Sequence, residues 1–90
     1  MLPPRGATVT RYFLHLRDGA DDLLDEEGSE FADLSALRGA VLFNAREMMT
    51  VGVRDGVLDL RFRIDAETAA GDIVHSLRFS EAVNILPPAP

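Results

Sequence analysis

Between residues 58 and 65 the chain alternates strictly. Leu60, Phe62 and Ile64 are apolar, while Asp59, Arg61, Arg63 and Asp65 are charged. A period of two belongs to a β-strand with one buried face, so a strand is predicted over 58–65. Residues 10–17, "TRYFLHLR", are similarly rich in aromatic and apolar positions and run into Asp18-Gly19. Asp-Gly after such a run marks a reversal, because glycine accepts a positive φ. A short second strand is expected over 22–25, then a turn at Gly28, with Phe31 closing the core. Leu34, Leu37, Val41, Ala45, Met48 and Gly52 recur every three or four residues. That is one face of an amphipathic helix. Asp33, with Ser35 as the alternative, is the expected N-cap, and Gly56 ends the helix. A turn at Gly71 leads to a fourth strand over 73–79. Ser80 can cap a short final helical turn, with Glu81 favourably placed in its first turn.

The predicted order is β-β-α-β-β. This is an α+β fold: a four-stranded, mainly antiparallel sheet with one long helix on one face and room for a short C-terminal helix. Residues 1–9 read as a flexible leader, 10–85 as a single domain, and 86–90, "LPPAP", as a Pro-rich tail. One helix cannot cover four strands. The opposite sheet face is therefore expected to be polar, or covered by a second subunit.

Composition narrows the functional classes. Ninety residues suffice for one domain with a small core. The hydrophobic fraction of 47% is that of a globular chain rather than a disordered one. The absence of cysteine excludes disulfides, thiolate metal sites and cysteine nucleophiles. All nine basic residues are arginine, which removes lysine Schiff-base chemistry and a Walker lysine. A net charge of −6 argues against nucleic-acid binding by the whole surface. No apolar run is long enough for a membrane helix, and the start lacks the apolar core of a signal peptide. The expected compartment is the cytoplasm.

His15, Arg17 and Asp18 fall within four residues and invite a catalytic reading. Strand geometry separates them. His15 and Arg17 share a face with Arg11 and Phe13, whereas Asp18 enters the turn, where its carboxylate can bind backbone amides. His75 shares parity with Leu77 and Phe79 and so faces the core, away from His15. A two-histidine metal site is not expected, since zinc needs three or four converging ligands. The run "DGADDLLDEEGSE" carries seven carboxylates but breaks the calcium-loop order at Ala20, Leu23 and Leu24. No serine has a nucleophile-elbow context, and no glycine loop could cradle a phosphate. Gly39 and Gly52 lie within the helix and suggest close packing. No cofactor is implied.

The parity of the arginines is more telling. Arg11 and Arg17 on the first strand, Arg61 and Arg63 on the third, and Arg78 on the fourth fall on the face away from the helix, beside Phe13 and His15. Val74 and Ser76 would accompany Arg78, and Asp59 and Asp65 would mark the ends of the third strand. Such a face suits an acidic protein partner or a second copy of the chain. The expected function is thus a non-enzymatic interaction module, with a homodimer attractive for so small a core. The same face could bind single-stranded nucleic acid, because bases stack on aromatics and phosphates pair with arginine. A small acid–base enzyme using His15 is the remaining alternative.

"RYFLHLRDG", "DEEGSEFADLSALRGAVLFNAREM" and "RFRIDAETAAGDIVHSLRFSEAV" together resemble a family of small bacterial proteins, domain of unknown function 6894. The resemblance spans residues 10–85. It rests on the Arg-Tyr-Phe start, the Arg-Asp-Gly turn, the Asp-Glu-Glu-Gly segment, the central helix and a last strand ending in Phe. Leu14 departs from the usual second phenylalanine, "AETAAGD" is looser than the usual last turn, and Arg78 stands where proline is common. The resemblance implies the order of elements and a bacterial origin. It implies no activity.

Overall fold

Strand β1 (Thr10–Arg17) is the hub of the sheet. Along one edge it pairs antiparallel with β4 (Arg63–Glu67), which pairs in turn with β5 (Ile73–Arg78). It also pairs with two short strands, β2 (Asp22–Leu23) and β3 (Ser29–Phe31). Helix α1 (Leu34–Arg54) follows β3, and a short helix α2 (Phe79–Ala82) follows β5. The sheet order is β2-β1-β4-β5, with β3 also on β1. This computed structural model describes residues 9–90, so the predicted leader lies outside the described residues except for Val9. The arrangement is α+β, as the pattern predicts. No helix among the described residues is long and apolar enough to cross a membrane.

The second strand predicted over 22–25 is only Asp22–Leu23, and a further strand not predicted, β3, continues the same edge of β1, which makes the sheet five-stranded. Leu16 is opposite Leu23, and Tyr12 is opposite Ser29, so four steps along β1 are matched by six along its partner. The excess is taken up in a bulge over 24–28. There the Asp25 carboxylate replaces the missing ladder: Oδ2 accepts the Leu14 N–H at 3.1 Å and Oδ1 accepts the Gly28 N–H at 3.0 Å. Gly28 sits at φ +70°, and a Cβ there would lie 2.8 Å from Tyr12 O and 2.9 Å from Phe13 Cε1. Only glycine fits such a position.

Helix α1 starts and stops as its sequence directs. Asp33 Oδ1 accepts the Ala36 N–H at 2.7 Å, and Gly56 has φ +84° just past the C-cap Asp55. Its buried residues are Leu37, Val41, Ala45 and Met49, packed with Ile64, Ala66, Phe79 and Ala82. Burying a side chain the size of Leu, Ile or Phe stabilises by about 1.5–3 kcal/mol each. The core row follows Met49 (5% exposed) rather than the predicted Met48 (43% exposed). Of the two helix glycines, Gly52 does pack closely, since a Cβ would meet Val57 O at 2.7 Å; Gly39 faces open space.

The predicted 58–65 strand is displaced towards the C-terminus. Asp59 Oδ1 accepts both the backbone N–H and the Nε–H of Arg61 at 3.0 Å, holding that segment bent before the ladder starts. Strand β4 therefore begins at Arg63, and Leu58 and Leu60 are exposed rather than core. A register shift between Ala66 and Glu67 pairs Ala66 with His75 and Glu67 with Ile73. Val74 consequently packs against the core instead of joining Ser76. Helix α2 starts one residue before the predicted cap. Its N-cap is Arg78, whose N–H donates to Glu81 Oε1 at 2.9 Å. Residues 86–90 are exposed and lie outside the helices and strands.

Candidate functional site

The register writes three rows across the sheet face opposite α1. The first is Asp22–Arg17–Arg63–Arg78, the second His15–Asp65–Ser76, and the third Phe13–Glu67–Ile73. Arg17, Arg63 and Arg78 are thus direct cross-strand neighbours on three successive strands. Like charges so placed repel, and directly opposite residues have Cβ atoms about 4.5–5.5 Å apart. Something must offset that repulsion.

Asp65 and Glu67 do so. Arg17 Nη1 lies 2.8 Å from Asp65 Oδ2 and 2.7 Å from Glu67 Oε2, and its Nε is 3.5 Å from Asp22 Oδ1. Arg63 Nε lies 3.3 and 3.2 Å from the two Asp65 oxygens. The Ser76 hydroxyl donates to Asp65 Oδ1 at 2.6 Å. Asp65 is only 2% exposed. Burial pushes its carboxyl upward, but Ser76, Arg17 and Arg63 outweigh that and leave it below its usual value. Glu67, then Asp65, raise the Arg17 guanidinium above its already high value. These five charged side chains hold one another in place.

The expected arginine-rich face is therefore corrected in three respects. Asp65 is not at a strand end but in the middle of β4, among the arginines. Arg61 lies outside the sheet, bound to its own neighbour Asp59, whose carboxyl it lowers to about 2. Arg11 leans towards β3, with Nη2 3.2 Å from Glu30 Oε1 and Nη1 2.7 Å from Glu27 O. Charge is left over at the other end of the first row. Arg63 shares Asp65 through its Nε alone, and Arg78 forms no ion pair among the described residues. Asp65 and Ser76 already fall on this face in the sequence pattern, and extending the alternation of 58–65 by two residues adds Glu67 on the parity of Arg63.

His15 is held apart from the row of arginines. Its Nδ1 accepts the Asp25 N–H at 3.0 Å, and its ring stacks beside Phe13 with centroids 6.4 Å apart. Its Nε2 is 3.9 Å from Glu67 Oε1, too long for a hydrogen bond. Asp18 binds the Ala20 and Asp21 amides within its turn, as the sequence predicts, and takes no part with His15. His15 pairs with Asp65 and His75 with Ala66, so the two histidines lie on opposite faces. The imidazole's accepting nitrogen is thus committed to positioning the Asp25 bulge. Chemically, the face offers two adjacent guanidiniums at the β4–β5 end, which suit carboxylates or other oxyanions.

The model of one protein family, a domain of unknown function (DUF6894), matches residues 11–80. No curated protein and no solved structure matches the chain.

Proposed function

The chain belongs to the DUF6894 family of unknown function, and we propose that it is a non-enzymatic interaction module that meets an acidic protein surface through the β4–β5 end of its helix-free sheet face. One observation carries this reading. Arg63 and Arg78 stand side by side in register, while Asp65 meets only the Nε of Arg63 and, among the described residues, no carboxylate meets the Arg78 guanidinium. A partner's carboxylate beside Arg63 and Arg78 would complete the pattern that Asp22 starts at the opposite edge. The commitment of the His15 Nδ1 to Asp25 supports a structural role for that histidine rather than proton transfer. The neutralised Arg17 and the net charge of −6 weigh against a nucleic-acid strand on this face.

The test is a pull-down from the native host with the wild-type chain and with an Arg63→Ala/Arg78→Ala variant. Loss of a specific protein with the variant, at unchanged thermal stability, is expected. Equal recovery of every protein by both chains overturns the proposal. Light scattering over a concentration series separates the self-contact form: a dimer that the double variant dissolves identifies the partner as a second copy.

A further inference from the structure

A second feature lies on the far side of the molecule from that face. The C-terminal half of α1, Leu58 and the segment after α2 enclose a groove of about 460 Å³. Its floor and outer wall are Met49, Val53, Leu58, Val83 and Ile85. Val53, Leu58 and Ile85 remain 56%, 43% and 56% exposed. The groove's other side is a single helical ridge, Arg46, Thr50 and Arg54, at four-residue spacing. From the helical rise, the two arginines are about 12 Å apart along the axis.

The charge of this groove is opposite in sign to the net charge of the chain. Among the described residues two arginines line it and no carboxylate does, in a protein whose net charge is −6. Arg46 is also held in place: its Nε donates to Ala82 O at 2.9 Å, tying α1 to α2 and leaving its terminal nitrogens for another acceptor. Arg54, by contrast, sits in the last turn of α1, where the helix dipole is negative and disfavours an anion. An apolar trough with a fixed guanidinium at one end recognises a ligand with matching ends. Its volume falls within the range of about 300–1,000 Å³ typical of small-ligand sites.

We propose that this groove binds a medium-chain alkyl carboxylate, with the apolar chain against Met49, Val53, Leu58 and Ile85 and the carboxylate on Arg46. The inference is independent of the sheet-face reading, because the two sites share no residue.

The test is a heteronuclear NMR titration of the full chain with decanoate, decanol and decylamine, each below its aggregation threshold. Decanoate is expected to shift amides of the second half of α1, Leu58 and 83–85 saturably, and to bind at least tenfold more tightly than decanol. Arg46→Gln is expected to bring decanoate down to the affinity of decanol while leaving decanol unchanged. Val53→Asp, at a position 56% exposed and with its fold checked by the amide dispersion outside the groove, is expected to abolish decanoate binding and favour decylamine. It keeps the proposal testable if Arg46→Gln unfolds. The proposal is overturned if no ligand gives saturable shifts there, or if decanol binds as well as decanoate. It is equally overturned if the same amides shift with protein concentration alone, which would assign the groove to a second copy.

Discussion

The guanidinium of Arg17 and the buried carboxylate of Asp65 meet across the β1–β4 ladder at 2.8 Å. Removing one partner from a buried pair leaves the other charge without compensation, which typically costs about 3–5 kcal/mol. Asp65 would keep Arg63 and Ser76, so Arg17→Ala is expected at the low end, about 3 kcal/mol by chemical denaturation. A double-mutant cycle with Asp65→Ala should return a coupling energy of about 1–3 kcal/mol. Strict additivity would mean that the two side chains act independently.

Stability should fall at acidic pH, and Asp65 and Asp25 set the direction. Burial raises the Asp65 carboxyl, but hydrogen bonds from Ser76, Arg17 and Arg63 hold it below its ordinary value. Burial likewise raises Asp25, and the amides of Gly28, Leu14 and Glu27 outweigh it. A carboxyl lowered in the fold contributes stability above its unfolded value, about 3.9, and loses it as the pH drops through the folded value. Denaturation curves from neutral pH down to about 2 should show this acid limb. Asp65→Asn should lower the plateau and flatten the limb; an unchanged limb would contradict the assignment.

Gly28→Ala should destabilise more than an ordinary glycine replacement in a loop. The position combines a positive φ with a Cβ site 2.8 Å from a backbone oxygen, which cannot move aside cheaply. Backbone strain of this kind costs about 1–3 kcal/mol, and the clash adds to it. A loss under 0.5 kcal/mol by thermal melting would show that the bulge rearranges freely.

His15→Phe would preserve a ring beside Phe13 while removing the acceptor for the Asp25 N–H. An unsatisfied, half-buried amide costs about 1–3 kcal/mol. Faster hydrogen exchange at Asp25 and Gly28, with exchange in α1 unaltered once scaled for stability, is the expected signature. Protection unchanged at Asp25 would place the bulge's hold elsewhere.

The two helix glycines should respond with opposite signs. Gly39 has open space where a Cβ would go, so Gly39→Ala is expected to stabilise by about 0.5–1 kcal/mol through helix propensity. Gly52→Ala would press a Cβ to 2.7 Å from Val57 O and should destabilise, because Val57 is tied to this spot by its N–H, which donates to Gly52 O at 2.8 Å. Paired thermal melts of the two variants decide it.

The sequence by itself determined whatever depends on local chemistry. Asp33 and Gly56 set the ends of α1, Asp18-Gly19 set the first reversal, and the period of β1 assigned Phe13, His15 and Arg17 to one face. These features need only neighbours a few residues away. The placement of β4 depended on more. Asp59 captures Arg61 and bends the chain, so the ladder begins at Arg63 and carries Asp65 and Glu67 into the arginine rows. The bulge at Asp25 is similar: an unpaired Leu14 amide on another strand chooses its acceptor. Register is a long-range property, and a shift of one or two residues decides which charges meet. The arginines were visible in the sequence, but their partners were decided by the tertiary pairing of strands some fifty residues apart, as in Arg17 with Glu67.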